Sequence, residues 1–145
     1  TYATGKLPRG CHWTAHQIGE AAYDLYKQGK SFPISYATTY CGYGFYHGFM
    51  ELLLREIPDP AFALRFCDQV EKQLGSMGLQ NCYHGIGHGF TEDPPPQETI
   101  GNPDAMLAPG IKICEKLFGG SFQNLSLCLS GVYTVVAGFA DEKRY

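Results

Sequence analysis

Five histidines are spread through a chain of 145 residues, and they do not fall at random. His12 and His16 stand four apart, as do His84 and His88, and His47 is followed at the same interval by Glu51. On a helix, residues four apart share one face with about 5–6 Å between them, a spacing that lets two side chains reach one ion. Imidazoles with a single carboxylate suit copper, zinc or iron, whereas calcium and magnesium ask for oxygen ligands. His12, His16, His47, Glu51, His84 and His88 are therefore candidate ligands of a transition metal, as one ion or two. Glu20 continues the first stripe a turn beyond His16, and Tyr23 and Tyr43 are polar candidates for its surroundings. Each residue alone has an ordinary explanation: a core histidine hydrogen-bonded internally, or Glu51 paired with Arg55 at the next turn. Three such pairs on separate helices favour the metal.

Other chemistries lack their residues. Zinc peptidases place a glutamate after the first histidine of H-x3-H as general base, but Trp13 and Gly85 occupy that position here. No order of serine, histidine and acid stands out, and the glycine-rich stretches carry no lysine where a phosphate loop needs one. Glu92 and Asp93, beside a proline run, suit a solvated turn better than a glycosidase pair. Two alternatives remain beside the metal centre. Two facing histidines could ligate a haem, with glycine making room for the porphyrin, or the chain could be a structural module of an extracellular homo-oligomer or filament. Whether it is an enzyme is left open.

The glycines around the histidines belong to a repeat. CGYGFYHGF from Cys41 and CYHGIGHGF from Cys82 both read C-x2-G-x2-H-G-F, and a decayed copy from Cys128 keeps Gly131 but has Thr134 in the histidine's place. A second matched pair, LRFCDQV around Cys67 and IKICEKL around Cys114, precedes the last two copies. Glycine costs up to about 1 kcal/mol against alanine inside a helix, so these positions ask for closely approaching backbones. Gly44 and Gly48 facing Gly85 and Gly89 would set His47 and His88 at one level.

Apolar residues recur at helical spacing through most of the chain. The pattern predicts helices over about Cys11–Gln28, with Ile18, Ala22, Leu25 and Tyr26 inward, then Gly42–Ile57, Pro60–Gly75, Cys82–Thr91, Ala108–Phe118 and Leu127–Phe139. The last is open to doubt from GVYTVV, whose β-branched and aromatic residues also suit a strand. Pro94, Pro95 and Pro96 make a connector that cannot be helical. The expected fold is mainly α, one domain over 1–145: about six helices as three stacked αα-hairpin repeats, roughly 10–57, 60–91 and 104–140, stapled by disulfides. The repeat pairs Cys67 with Cys82 and Cys114 with Cys128, leaving Cys11 for Cys41.

Six cysteines without a C-x2-C pair read as disulfides in an oxidising compartment, hence a secreted, extracellular or periplasmic protein. A start at Thr1 rather than Met fits a chain whose signal peptide has been removed. Asn124-Leu125-Ser126 is a sequon for an N-glycan in such a setting. A net charge of −3, with no basic run beyond Lys143-Arg144, offers no footprint for nucleic acid. No apolar run approaches the ~20 residues of a membrane span. Ten tyrosines point to an interface, such as that of a homo-oligomer.

Overall fold

Helix α1 (Gly10–Lys27) ends where the sequence supplies a glycine. Gly29 adopts φ 69°, its N–H bonds the Tyr26 carbonyl, and the Lys30 N–H bonds the Leu25 carbonyl, both at 2.9 Å. This left-handed stop satisfies carbonyls that the helix leaves open. Residues 28–43, with a short 3-10 turn at Tyr36–Thr39, lead to α2 (Gly44–Glu56). Asp59 then caps α3 (Pro60–Gly89), accepting from the Ala61 N–H at 3.0 Å. A second 3-10 turn, Gln97–Thr99, precedes α4 (Pro103–Phe118), where Asn102 accepts from the Ala105 N–H at 3.2 Å. Both caps stand before a proline, whose missing N–H costs nothing in the first turn. Helix α5 (Phe122–Asp141) follows. The computed structural model describes residues 10–91 and 97–141, with side chains to 137. The connector at Pro94–Pro96 and the Glu92-Asp93 pair lie outside them.

The molecule is mainly helical, with no strand among the described residues. Five helices replace the six expected, because 60–75 and 82–91 belong to one element, α3. That element is not straight. Gly75 takes φ 66° and ψ −156°, and Cys67 and Cys82 lie 5.5 Å apart between Cα atoms. Fifteen residues of unbroken helix would separate them by about 22 Å, so the chain reverses at Gly75 into two antiparallel arms. The stretch 76–81, expected as a loop, is helical up to the reversal. GVYTVV is helical too: Cys128, Val132 and Val135 are buried at helical spacing, and that packing overrides β propensity.

The first unit is not a hairpin. Cys11 and Cys41, at the starts of α1 and of the approach to α2, are bridged, while Tyr23 near the end of α1 bonds Glu56 at the end of α2. The two helices therefore run parallel, and the long connection 28–43 brings the chain back to the start. The second arm of α3 also runs parallel to α2, with Gly85 against Tyr46 and Gly89 against Met50 and Leu54. Three parallel rods result, with α4 and α5 as a hairpin joined by Cys114–Cys128 and packed on α3.

Helix α2 is the centre of the core, buried without interruption from Gly44 to Met50. Phe49 stacks on Phe66 with ring centroids 3.9 Å apart, and Tyr23, Tyr26 and Phe32 close around them. Ile18, expected inward, is 56% exposed. The face of α1 that meets α2 is instead His12, His16, Gly19 and Tyr23, because Gly19 lets α1 lie directly on the Phe45 carbonyl.

Candidate metal centre

Parallel packing puts the three i, i+4 pairs at one level. His12 and His16 come from α1, His47 and Glu51 from α2, and His84 and His88 from the second arm of α3. The glycines that permit this differ in use from expectation. Gly85 and Gly89 do face α2, but Gly44 and Gly48 face α1, beneath the His12 and His16 carbonyls. A Cβ on Gly48 would overlap the His16 carbonyl, so α2 can present His47 and Glu51 to α1 only with a bare backbone there. The His47 and His88 rings stack with centroids 3.9 Å apart, and His84 lies 5.0 Å from His47.

Glu51 sits between α1 and α3, its side chain 11% exposed. Oε2 lies 3.1 Å from His16 Nε2, and Oε1 lies 2.8 Å from His88 Nδ1. Both contacts are of ion-pair length without hydrogen-bond alignment, and the second leaves Glu51 Oε1 and His88 Nδ1 buried without a hydrogen-bond partner. Burial works to raise the Glu51 carboxyl, but the His16 and His88 rings outweigh it and hold it down at about 2. On its other side, His16 Nδ1 meets Glu20 Oε1 at 3.1 Å. Burial would lower the His16 pKa; Glu51 and then Glu20 overcome this and raise it. His16 thus hydrogen-bonds Glu20 through Nδ1 and lies at ion-pair distance from Glu51 on the Nε2 side. His16, Glu20 and Glu51 are also a group whose donor atoms all lie within 4.8 Å of one another.

Hydrogen-bond partners orient the rings of His84, His12 and His47. The Ser130 hydroxyl lies 2.6 Å from the Leu127 carbonyl, to which it donates, so it must accept from His84 Nδ1 at 2.8 Å. His84 thus bears its proton on Nδ1 and turns a bare Nε2 inward. His12 Nδ1 lies 2.9 Å from the Cys41 carbonyl and donates to it, leaving Nε2 to accept from His47 Nδ1 at 3.3 Å. That leaves His47 Nε2 bare as well. Both Nε2 atoms are buried and have no hydrogen-bond partner. Burial, then the neighbouring His88, His84, His12 and His16, pushes the His47 pKa far down, and burial with His88 and His12 lowers His84 to about 4. Both rings are therefore neutral near pH 7, the state in which imidazole binds metals.

Of the six residues singled out, five are drawn together in the interior. His12 is exposed and touches the cluster through His47. Tyr43, left-handed at φ 68°, stacks on His84 at 4.2 Å, whereas Tyr23 bonds Glu56 away from the cluster. Glu20 was visible as the next turn of the His12–His16 stripe, and the structure adds it to the donors. Ser130 carries no sequence signal, since it lies in the copy that has lost its histidine. No family model matches the chain, and no curated protein or solved structure matches it either.

Proposed function

We propose that this chain is a disulfide-stabilised metalloprotein that holds a transition-metal ion among His16, His47, Glu51, His84 and His88, with His12 at its rim. One observation carries this reading: His47 Nε2 and His84 Nε2, on residues 0% and 4% exposed, face a cluster of donors without a hydrogen-bond partner. A buried polar atom left unsatisfied costs about 1–3 kcal/mol, and two neutral imidazole nitrogens beside a carboxylate are what copper, zinc or iron would satisfy. The donor set serves either redox chemistry or metal capture. A haem is not favoured: the space beside Gly85 and Gly89 is taken by the α2 backbone and the Tyr46 and Met50 side chains.

The surroundings fit an extracellular or periplasmic setting, with three disulfides and no described helix long and apolar enough to cross a membrane. Elemental analysis and an absorption spectrum of the protein from its native source, without chelator, test the reading. At least one equivalent of copper, zinc or iron is expected. A folded, metal-free protein that also refuses added metal would refute it. Replacing His84 and His88 together by alanine should lower the metal content; unchanged metal content would remove α3 from the ligand set.

A further inference from the structure

Seven donor side chains meet here: His12, His16, Glu20, His47, Glu51, His84 and His88. Zinc and copper sites typically take about four ligands. The surplus is divided in space by Glu51. Its Oε2 faces His16 on α1 and its Oε1 faces His88 on α3, and those two rings stand 6.4 Å apart on either side of the carboxylate. Two donors each about 2.1 Å from a shared ion lie roughly 3.0–3.4 Å apart at near-tetrahedral angles. The pairs at 3.1 Å (His16 with Glu51 Oε2) and 2.8 Å (His88 with Glu51 Oε1) are close to that separation. Each oxygen has further donors behind it. Glu20 stands with His16 and Glu51, their donor atoms within 4.8 Å of one another, and the His47 ring, itself 5.0 Å from His84, stacks on His88 at 3.9 Å, with the Nε2 atoms of His47 and His84 buried and unpartnered.

We propose that the centre is dinuclear, with the Glu51 carboxylate bridging one ion held by His16 and Glu20 to a second held by His88, His47 and His84. His12 then acts as a positioning residue, bonded to His47 Nδ1 and anchored on the Cys41 carbonyl. The inference rests on the metal-binding reading above but can fail without it. Ions sharing such a bridge sit about 3.5–4 Å apart, close enough for unpaired spins to couple.

The test is titration of the metal-free, full-length protein with copper(II), following bound metal by elemental analysis after desalting and the unpaired spins by electron paramagnetic resonance. Two equivalents are expected, with the resonance per copper falling as the second is bound. One equivalent would leave the metal-binding reading standing and overturn the bridge. Two equivalents whose signal integrates to two isolated spins would also overturn it, and no binding would defeat both readings. Glu51→Gln should give uncoupled copper. Because that variant alters a buried position, Glu20→Gln, on a partly exposed side chain, is the second arm: it should bind one equivalent instead of two, and retention of two coupled ions would exclude Glu20 as a ligand.

Discussion

A serine with one proton decides which nitrogen of a histidine faces the cluster. Ser130 gives its proton to the Leu127 carbonyl and therefore accepts from His84 Nδ1, which holds the ring with Nε2 inward. Partners of this kind typically change metal affinity by about 10–100-fold when removed. Ser130→Ala is expected to weaken metal binding by that factor in calorimetric titration, while far-UV circular dichroism stays unchanged because Ser130 is exposed on α5. Ser130→Thr keeps the hydroxyl and should restore most of the affinity. Ser126→Ala, exposed on the same helix, should do nothing. Equal affinities for Ser130→Ala and the parent would mean that His84 does not bind through Nε2. At this scale the sequence was informative about types and intervals, which set His12 with His16, His47 with Glu51, and His84 with His88 each on one face of a helix. It was silent about Ser130, because a lone serine has no pattern, and about the partner of Glu51, because an intrahelical pairing with Arg55 has the same spacing as the one with His47.

Between elements, the determining contacts are glycine against backbone. Gly48 meets the His16 carbonyl where α2 crosses α1, and Gly131 meets the His84 carbonyl where α5 crosses α3. A methyl group at either place must push two helices apart, and overpacking of this kind costs about 1–3 kcal/mol. Gly48→Ala and Gly131→Ala should each lower the thermal midpoint by several degrees, at about 2–4 °C per kcal/mol for a chain of this length. Gly120→Ala, where nothing lies near an added Cβ, should leave the midpoint within about a degree. Parity of all three variants in calorimetry would show that the close crossings are not needed. That glycines next to the histidines mean close approach was legible from their cost in a helix; which helix each one faces was not. Gly44 and Gly48 face α1 rather than α3 because direction is set by the connection 28–43, whose composition permits either a hairpin or a return to the start. The Gly75 reversal was legible as a boundary, but the helix resumes at once because Met77, Leu79 and Gln80 are good helix formers.

Across the whole molecule, the parallel pair α1 and α2 is tied at both ends: by Cys11–Cys41 beside the histidines, and by a polar cluster where the helices finish. In that cluster Tyr23, 1% exposed, donates to Glu56 Oε2 at 3.0 Å, and Lys27 donates to Glu56 Oε1 at 2.9 Å. Burial, followed by the hydrogen bond and charge of Glu56, raises the Tyr23 pKa from 10.0 to about 12. A phenol whose folded-state pKa lies above its unfolded value loses its proton first in the unfolded chain, so rising pH favours unfolding between the two values. The contribution of Tyr23 is thus fully present below pH 10 and is lost as pH rises through about 12. Denaturant unfolding across that interval should show stability falling, and Tyr23, together with Tyr46 and Tyr83, whose burial also raises their pKa, should ionise later than the exposed tyrosines in an ultraviolet titration. Tyr23→Phe should be less stable at neutral pH, because it loses the bond to Glu56, yet flatter over the alkaline interval and with one fewer late-ionising tyrosine. If the variant and the parent lose stability in parallel above pH 10, the alkaline weakness of the fold lies elsewhere than in the tie that closes the far end of the bundle.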